Sequence, residues 1–205
     1  MRMRLIASMV LVFSVTCSLY AQRFHGGLLL GFNASQVDGD TYAGYDKFGL
    51  MGGAFVYTHL SDMLDIQMEI KYMGKGARKR TSTDNLTVYK SNLNYIEIPV
   101  LLKLKTKNKI GVEGGFGFGY LFSYSEEDAY GVLPSKAATQ FKPFELCTIV
   151  GLNYQLNSKY NVDLRYSYSL FSIVGRPEIA NPYFRLGHGV YNNLFSLGIL
   201  YTLGQ

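Results

Sequence analysis

The sequence predicts an all-β fold, an eight-stranded antiparallel up-and-down transmembrane β-barrel. Three observations support this prediction. Apolar and polar residues alternate with a period of two in eight segments of about ten residues, which is the pattern of β-strands. Short and long connections alternate between those segments. The composition, with 22 Gly, 17 Tyr and 13 Phe among 205 residues, favours strands and turns over a helical bundle.

The N-terminal segment has the features of a secretory signal peptide. It begins with the positively charged sequence MRMR, continues with a mostly apolar stretch at 5–15, and ends in LYA at position 21. We therefore interpret residues 1–21 as a signal peptide and residues 22–205 as the barrel domain. One alternative is an anchoring helix, although the apolar stretch is shorter than the ~20 residues that a spanning helix needs. A second alternative is lipid attachment at Cys17.

The charge and the cysteine content bear on the binding partners of the protein and on what stabilises its fold. The chain carries 20 basic and 15 acidic residues, and without the two arginines of the leader the net charge falls from +5 to +3 (18 against 15). This weak excess predicts no nucleic-acid partner. Without the leader, Cys147 is the single cysteine of the chain, so no disulfide framework is expected. The fold must be stabilised by a packed core or by the bilayer.

The strand segments are justified by their alternation. The clearest is 64–72, where Leu64, Ile66 and Met68 point to one side while acidic, amide and basic residues point to the other. The same pattern recurs along the chain, strongly in five segments and more weakly in three. The eight predicted strands are residues 25–35, 48–59, 64–72, 93–105, 110–121, 144–155, 160–170 and 193–203.

The connections indicate how the strands are arranged in a membrane. Short connections at 60–63, 106–109 and 156–159 alternate with four long ones. The long connections are residues 36–47, 73–92, 122–143 and 171–192. Short turns on one side, long loops on the other and both termini on the short-turn side are typical of outer-membrane β-barrels. The layout predicts four long exterior loops.

Charged residues on the strands fall on the face opposite the apolar stripe. A charge on the lipid-facing side costs ~2–4 kcal/mol at the bilayer midplane, so alternation places these residues in the lumen. There they must form ion pairs, which predicts a lumen filled by a charge network. The predicted members are Glu69, Lys71, Glu97, Lys103, Glu113, Glu145, Asp163 and Arg165. Tyrosines near strand ends are predicted to form interfacial girdles: Tyr57, Tyr72, Tyr95, Tyr120, Tyr154, Tyr160 and Tyr201.

A basic segment lies at the start of the long loop predicted at residues 73–92. The sequence GKGARKR at 74–80 places Lys75, Arg78, Lys79 and Arg80 in a long exterior loop. Such a cluster suits the phosphates of lipopolysaccharide or an anionic polymer. The alternative is a solvated loop without a ligand.

Residues typical of catalysis are scattered. His25, His59 and His188 occupy a strand start, a strand end and a long loop, with no metal-ligand or triad spacing around them. We predict no enzymatic activity, no cofactor and no metal, and interpret Cys147 as a packed thiol. A lipid-modifying enzyme using His188 at the outer rim is the alternative.

Four stretches resemble the outer-membrane β-barrel family that includes PorT-like proteins of Bacteroidetes. They are IQMEIKYMGKGAR (66–78), NYIEIPVLLKLK (94–105), GVEGGFGFGYLFS (111–123) and VDLRYSYSLFSI (162–173). The resemblance implies export to the outer membrane of a Gram-negative cell and a role in secretion, adhesion or envelope integrity, with lipid and envelope proteins as partners. A soluble periplasmic lipocalin-like binder, whose apolar stripe lines a ligand cavity, is the competing hypothesis.

Overall fold

The computed structural model describes residues 23–39, 44–79, 89–106, 108–134, 139–175 and 189–203. Its regular secondary structure consists of ten β-strands. They are β1 (His25–Asp38), β2 (Lys47–His59), β3 (Leu64–Lys75), β4 (Arg78–Lys79), β5 (Tyr89–Lys105), β6 (Ile110–Asp128), β7 (Gly131–Val132), β8 (Phe144–Gln155), β9 (Tyr160–Ser169) and β10 (Tyr191–Leu203). Within the described ranges, no helix has the length and hydropathy that a membrane crossing requires.

Eight of these strands form a closed barrel. The order around it is β1-β2-β3-β5-β6-β8-β9-β10, and every pairing is antiparallel. Strands β1 and β10 close the sheet, with partners from Gly26↔Leu203 to Asp38↔Tyr191. Closure leaves no unpaired sheet edge in the hydrocarbon, where unsatisfied backbone groups are costly. The two-residue strands β4 and β7 only extend the sheet beside β5 and β6.

The predicted fold is confirmed, and four of the predicted strands are too short by three residues or more at their exterior ends. Strand β1 continues to Asp38, β3 to Lys75 and β6 to Asp128, while β5 already begins at Tyr89. In these extensions the ladder continues, but apolar alternation fades because no hydrocarbon surrounds it. Hydrophobic periodicity therefore marks the spanning part of a strand better than its full length.

The outer face of the barrel is apolar and the inner face is polar. Exposed side chains include Leu30, Leu50, Ile70, Phe116 and Val150, whereas the buried set on the same strands is rich in charged and polar groups. This distribution matches a lipid-facing barrel. It does not favour the lipocalin-like alternative, which requires the apolar stripe inside and a polar surface outside.

Two of the predicted girdle tyrosines lie elsewhere. Tyr72, Tyr120 and other predicted girdle residues are exposed on the outer face. Tyr95 instead is completely buried inside the barrel, and the ring of Tyr57 stacks on Phe55, whose side chain is buried. Both tyrosines occupy positions whose side chains alternate towards the lumen. The alternation along the strand therefore decides where these side chains point, even near a strand end.

Candidate functional site: the lumen and the exterior rim

Arg165 on β9 is the centre of the lumen charge network. Its Nη1 and Nη2 atoms donate to the two carboxylate oxygens of Glu69 on β3 at 2.9 and 2.8 Å, a bidentate pair. Its Nε lies 2.5 Å from Glu113 Oε1, and Nη2 lies 2.6 Å from Asp163 Oδ2. In the strand order, β3 and β9 lie on opposite sides of the barrel, so the Arg165–Glu69 pair crosses the lumen.

Lys103 and Lys71 extend the network on either side of Arg165. Lys103 Nζ lies 3.0 Å from Glu113 Oε2 and 2.9 Å from Asp163 Oδ2. Lys71 Nζ lies 3.2 Å from Glu69 and 3.3 Å from Glu97. All these side chains are buried. Each lysine forms ion pairs with two carboxylates, and these pairs offset the cost of removing its charge from water.

The position of Lys75 corrects one of the predictions. The sequence places it in an exterior anion-binding loop, but its side chain is buried in the lumen. Its Nζ lies 2.7 Å from Glu97 Oε2 and 3.0 Å from Glu145 Oε2, and Ser169 donates to the other oxygen of Glu145 at 2.5 Å. The sequence does indicate this position, because alternate residues of a strand share a face and position 75 follows the inward-facing positions 71 and 73 of β3.

The structure thus brings all eight predicted lumen residues together and adds a ninth. The network contains the five carboxylates of Glu69, Glu97, Glu113, Glu145 and Asp163 and the four cations of Lys71, Lys75, Lys103 and Arg165. These charges come from β3, β5, β6, β8 and β9. They fill the middle of the lumen with ion pairs.

An apolar plug closes the exterior end of the lumen. Its buried members include Met51, Met73, Leu93, Tyr95 and Leu194 from the barrel strands. The connection between β9 and β10 adds Ile173 and Val174. Its backbone is tied down because Ile173 N donates to Val190 O at 2.8 Å and Lys142 N donates to Ile173 O at 2.7 Å. The plug and the charge network occupy successive levels of the lumen.

The Cys147 thiol is packed in this interior. The side chain is buried beside Gly117 and Ser167, with Sγ 3.4 Å from the carbonyl oxygen of Gly117. An added Cβ at Gly117 would lie 2.8 Å from this sulfur, so the glycine leaves room for it. The position agrees with the interpretation of Cys147 as a packed thiol.

We expect Cys147 in the folded barrel to resist alkylation by maleimide in a chain that begins at Gln22. Burial keeps the reagent away from the thiolate that would react. Mass spectrometry should show less than about one tenth of the chains modified under conditions that label the urea-unfolded chain completely. Rapid labelling of the folded barrel would contradict this packing.

A basic rim, defined as Lys47, Arg78, Lys79 and Lys90, lies at the exterior end of β2, β4 and β5. Arg78 and Lys90 are directly opposite in the ladder, and Lys90 forms a half-exposed ion pair with Glu127 at 3.3 Å. Lys47 lies within electrostatic range of Arg78 and Lys90. Arg78 and Lys79 come from the predicted anion-binding segment, whereas Arg80 lies outside the described residues.

Lys47 and Lys90 were not predicted as members of an anion site. They are separated from the GKGARKR segment along the chain, and only the register of β4 against β5 and the path of β2 bring them near Arg78. Only the pairing register of β4 with β5 shows that Lys90 lies beside Arg78.

The histidines do not form a common site in the described part of the chain. His59 Nδ1 lies 2.6 Å from Asp65 Oδ1 at the short-turn end of the barrel, and its ring lies 5.4 Å from the ring of His25. His188 lies outside the described residues. Among the described residues, no group of three or more His, Cys, Asp or Glu side chains is arranged to hold a metal ion.

Solved structures of outer-membrane proteins share this architecture. Ail, the attachment invasion locus protein of Yersinia pestis, in complex with the heparin analogue sucrose octasulfate, superposes with a TM-score of 0.50 at 14% identity, covering 88% of this chain and 99% of that chain. Neisserial surface protein A gives 0.51 at 14% identity, covering 87% and 96%. At such identity the likeness concerns the fold alone.

The family assignment comes from sequence. A search of curated proteins finds no match to the chain. A family model described as an outer membrane protein beta-barrel domain matches residues 20–175, which is more than half of the chain. This match agrees with the closed barrel, its apolar outer face and its charged lumen. The chain therefore belongs to the outer membrane protein beta-barrel domain family.

Proposed function

We propose that this chain is a non-enzymatic outer-membrane protein whose basic rim binds phosphate- or sulfate-bearing polymers at the cell surface. The observation that carries the proposal is the direct cross-strand pairing of Arg78 with Lys90. Like charges directly opposite each other in a ladder are destabilising. The Lys90–Glu127 ion pair offsets part of that repulsion, and a bound polyanion would offset the rest and gain charge-assisted hydrogen bonds.

The position of the rim favours a ligand at or above the membrane surface. Arg78 and Lys90 lie at the exterior end of their strands, beyond the outer-face aromatics Tyr72 and Phe122, whose rings are 6.2 Å apart. Aromatic side chains on the lipid face of a barrel mark the membrane interface. Cations just beyond them suit lipopolysaccharide phosphates from the same membrane or a sulfated polymer from outside.

Because the lumen is largely filled, we place the ligand site on the exterior surface of the barrel. Ion pairs occupy the middle of the barrel and apolar side chains occupy its exterior end, so the interior offers little room for a diffusing solute. The complex of Ail with a heparin analogue supports sulfated sugars as a ligand class for barrels of this shape. Binding of such polymers would serve adhesion or envelope integrity.

The finer assignments from sequence belong to the same proposal. We propose export through a signal peptide at residues 1–21 and membership in the PorT-like branch found in Bacteroidetes, on the four resembling stretches. A role in secretion, with envelope proteins as partners, follows from that resemblance. The clustered cations of the basic rim support a surface-binding role over a role in secretion, because they would attract an anionic polymer.

We expect the double variant Arg78→Gln/Lys90→Gln to bind fluorescein-labelled heparin at least about tenfold more weakly than the native barrel, because charge-assisted contacts are lost. Binding is measured by fluorescence anisotropy with the barrel in nanodiscs made without lipopolysaccharide. The matched control is Lys142→Gln/Lys159→Gln, which removes the same net charge elsewhere. Unchanged affinity, or an equal loss in both double variants, would contradict a site at the rim.

A second series identifies the natural source of the anion. Nanodiscs containing lipopolysaccharide should compete with heparin for the rim if its phosphates are the resident ligand. Heparin binding that is unaffected by lipopolysaccharide points to an external polymer. Affinity should also fall as salt is raised, with a smaller slope in the rim variant, because fewer counterions are released.

A further inference from the structure

The short-turn end of the barrel, which faces the periplasm, contains a cavity that the proposed function does not use. It has a volume of about 260 Å³ and opens between the turns that join β2 to β3, β5 to β6 and β8 to β9. The apolar plug and the charge network lie between this cavity, called the periplasmic chamber below, and the exterior end of the lumen. A chamber of this kind admits a small molecule or the end of a larger one.

One wall of the chamber is cationic. Lys103, Lys105 and Lys109 line it, against a single lining carboxylate, Asp65. That carboxylate is already engaged, because Lys105 Nζ lies 2.6 Å from one of its oxygens and His59 Nδ1 lies 2.6 Å from the other. Lys103 is paired as well, with Glu113 and Asp163 at 3.0 and 2.9 Å. Lys109 is then the lining cation that has no ion pair with a described residue, and it favours an anion at the mouth of the chamber.

An unused hydrogen-bond donor lies on the same wall. The Nδ2 atom of Asn153 is buried and has no hydrogen-bond partner among the described residues. Asn153 is opposite Gly111 in the ladder, and a Cβ added at Gly111 would lie 2.5 Å from Asn153 Oδ1. The glycine thus leaves the space in which the amide sits. A buried donor without an acceptor is costly, and a ligand oxygen beside it would remove that cost.

The opposite wall is apolar. Phe55 and Tyr57 from β2 and Leu200 from β10 line it, and these three form one cluster with Leu29. In the strand order, β2 and β10 lie across the barrel from β5, β6 and β8, which carry the lysines and Asn153. A ligand that satisfies both walls has an acceptor group at one end and an apolar, flat or branched group at the other.

We infer that the periplasmic chamber binds a small organic carboxylate, with the carboxylate towards Lys105, Lys109 and Asn153 and the apolar part against Tyr57, Phe55 and Leu200. A free aromatic or aliphatic acid and the carboxyl terminus of a periplasmic peptide share this chemistry. The site is separate from the basic rim, which lies at the other end of the barrel.

Titration by NMR tests the assignment on the complete barrel in nanodiscs with zwitterionic lipid. Sodium benzoate is added at constant ionic strength in buffer without phosphate or carboxylate, and benzamide serves as the neutral isostere. We expect benzoate to cause saturable shifts of the Asn153 side-chain amide and the Tyr57 and Gly111 backbone amides, with Gly131 at the exterior end unchanged. No saturable shift, or equal shifts with benzamide, would overturn the inference.

Variants locate the anion contact. Lys105→Gln/Lys109→Gln should raise the dissociation constant for benzoate at least about tenfold, because two cationic donors are lost. Both lysines are solvent-accessible at the mouth, so a heat-dependent gel shift should show that the variant still folds. The matched control Lys90→Gln/Lys142→Gln removes two cations from the exterior end and should leave the constant unchanged. Equal weakening in both variants would contradict a local site.

A third ligand distinguishes the two sources of the carboxylate. N-acetylphenylalanine carries the carboxyl end of a peptide, and its amidated form lacks the charge. Binding at least about tenfold tighter than benzoate, lost on amidation, supports a peptide carboxyl terminus as the occupant. Equal or weaker binding than benzoate supports a free small acid.

Discussion

Replacing Arg165 with methionine is expected to lower the free energy of unfolding of the barrel by about 3–5 kcal/mol, the usual cost of removing one partner from a buried ion pair. Methionine fills much of the volume but leaves Glu69, Glu113 and Asp163 without their shared cation. Glu69 keeps Lys71, and Glu113 and Asp163 keep Lys103, at 3.2, 3.0 and 2.9 Å. Three carboxylates then compete for two lysines in a closed lumen.

Urea titration of the heat-dependent gel shift measures this effect in lipid. Arg165→Lys keeps the charge and loses the bidentate geometry, so its destabilisation should fall between those of the native barrel and Arg165→Met. The control is Lys90→Met, which removes a half-exposed pair with Glu127 and should cost less than about 1 kcal/mol. Equal destabilisation by Arg165→Met and Lys90→Met would show that the lumen network contributes no more than a surface pair.

Gly115→Ala on β6 is expected to destabilise the barrel by about 1–3 kcal/mol, as overpacking in a filled interior does. A Cβ at this position would overlap the carbonyl oxygen of Val100 and lie 3.0 Å from the Cα of Leu101 on β5. The obstacle is backbone, which no side-chain rotation removes. Strands β5 and β6 would have to shift apart, weakening the longest ladder of the barrel.

The neighbouring glycine provides the matched control. A Cβ at Gly114 would meet the carbonyl oxygen of Ile149 at 3.7 Å, an ordinary contact, and would point to the outer face. Gly114→Ala should therefore change stability by less than about 0.5 kcal/mol. Refolding yield into lipid and the urea midpoint, compared for the two alanine variants, test the difference. Similar behaviour of both would contradict the close approach of β5 at Gly115.

Periodicity predicted the barrel and most of the lumen because both depend on local alternation. Glu69 and Lys71 face inward for the same reason that Ile70 faces lipid, and this is readable without knowledge of any partner. The error at Lys75 arose where a strand leaves the hydrocarbon and apolar residues no longer mark its outer face. The error at Tyr95 arose from weighing its position near a strand end above its parity.

The apolar plug, the basic rim and the periplasmic chamber depend on contacts between distant parts of the chain. The plug requires Ile173 and Val174 to fold back into the barrel mouth, and no periodic signal marks such a connection. The rim requires Lys90 opposite Arg78, which only the β4–β5 register defines. The periplasmic chamber combines walls from opposite sides of the barrel. Closure of the sheet creates these neighbours, and one sequence does not reveal them in advance.

The Arg165–Glu69 pair also has a mechanical consequence. A cylinder of eight strands can flatten into an ellipse with its ladder hydrogen bonds intact, because bending the sheet does not separate neighbouring strands. Two hydrogen bonds of 2.9 and 2.8 Å between opposite walls act as a strut that sets the diameter. Flattening the barrel along this diameter would break or bend both bonds, so the pair favours a round cross-section.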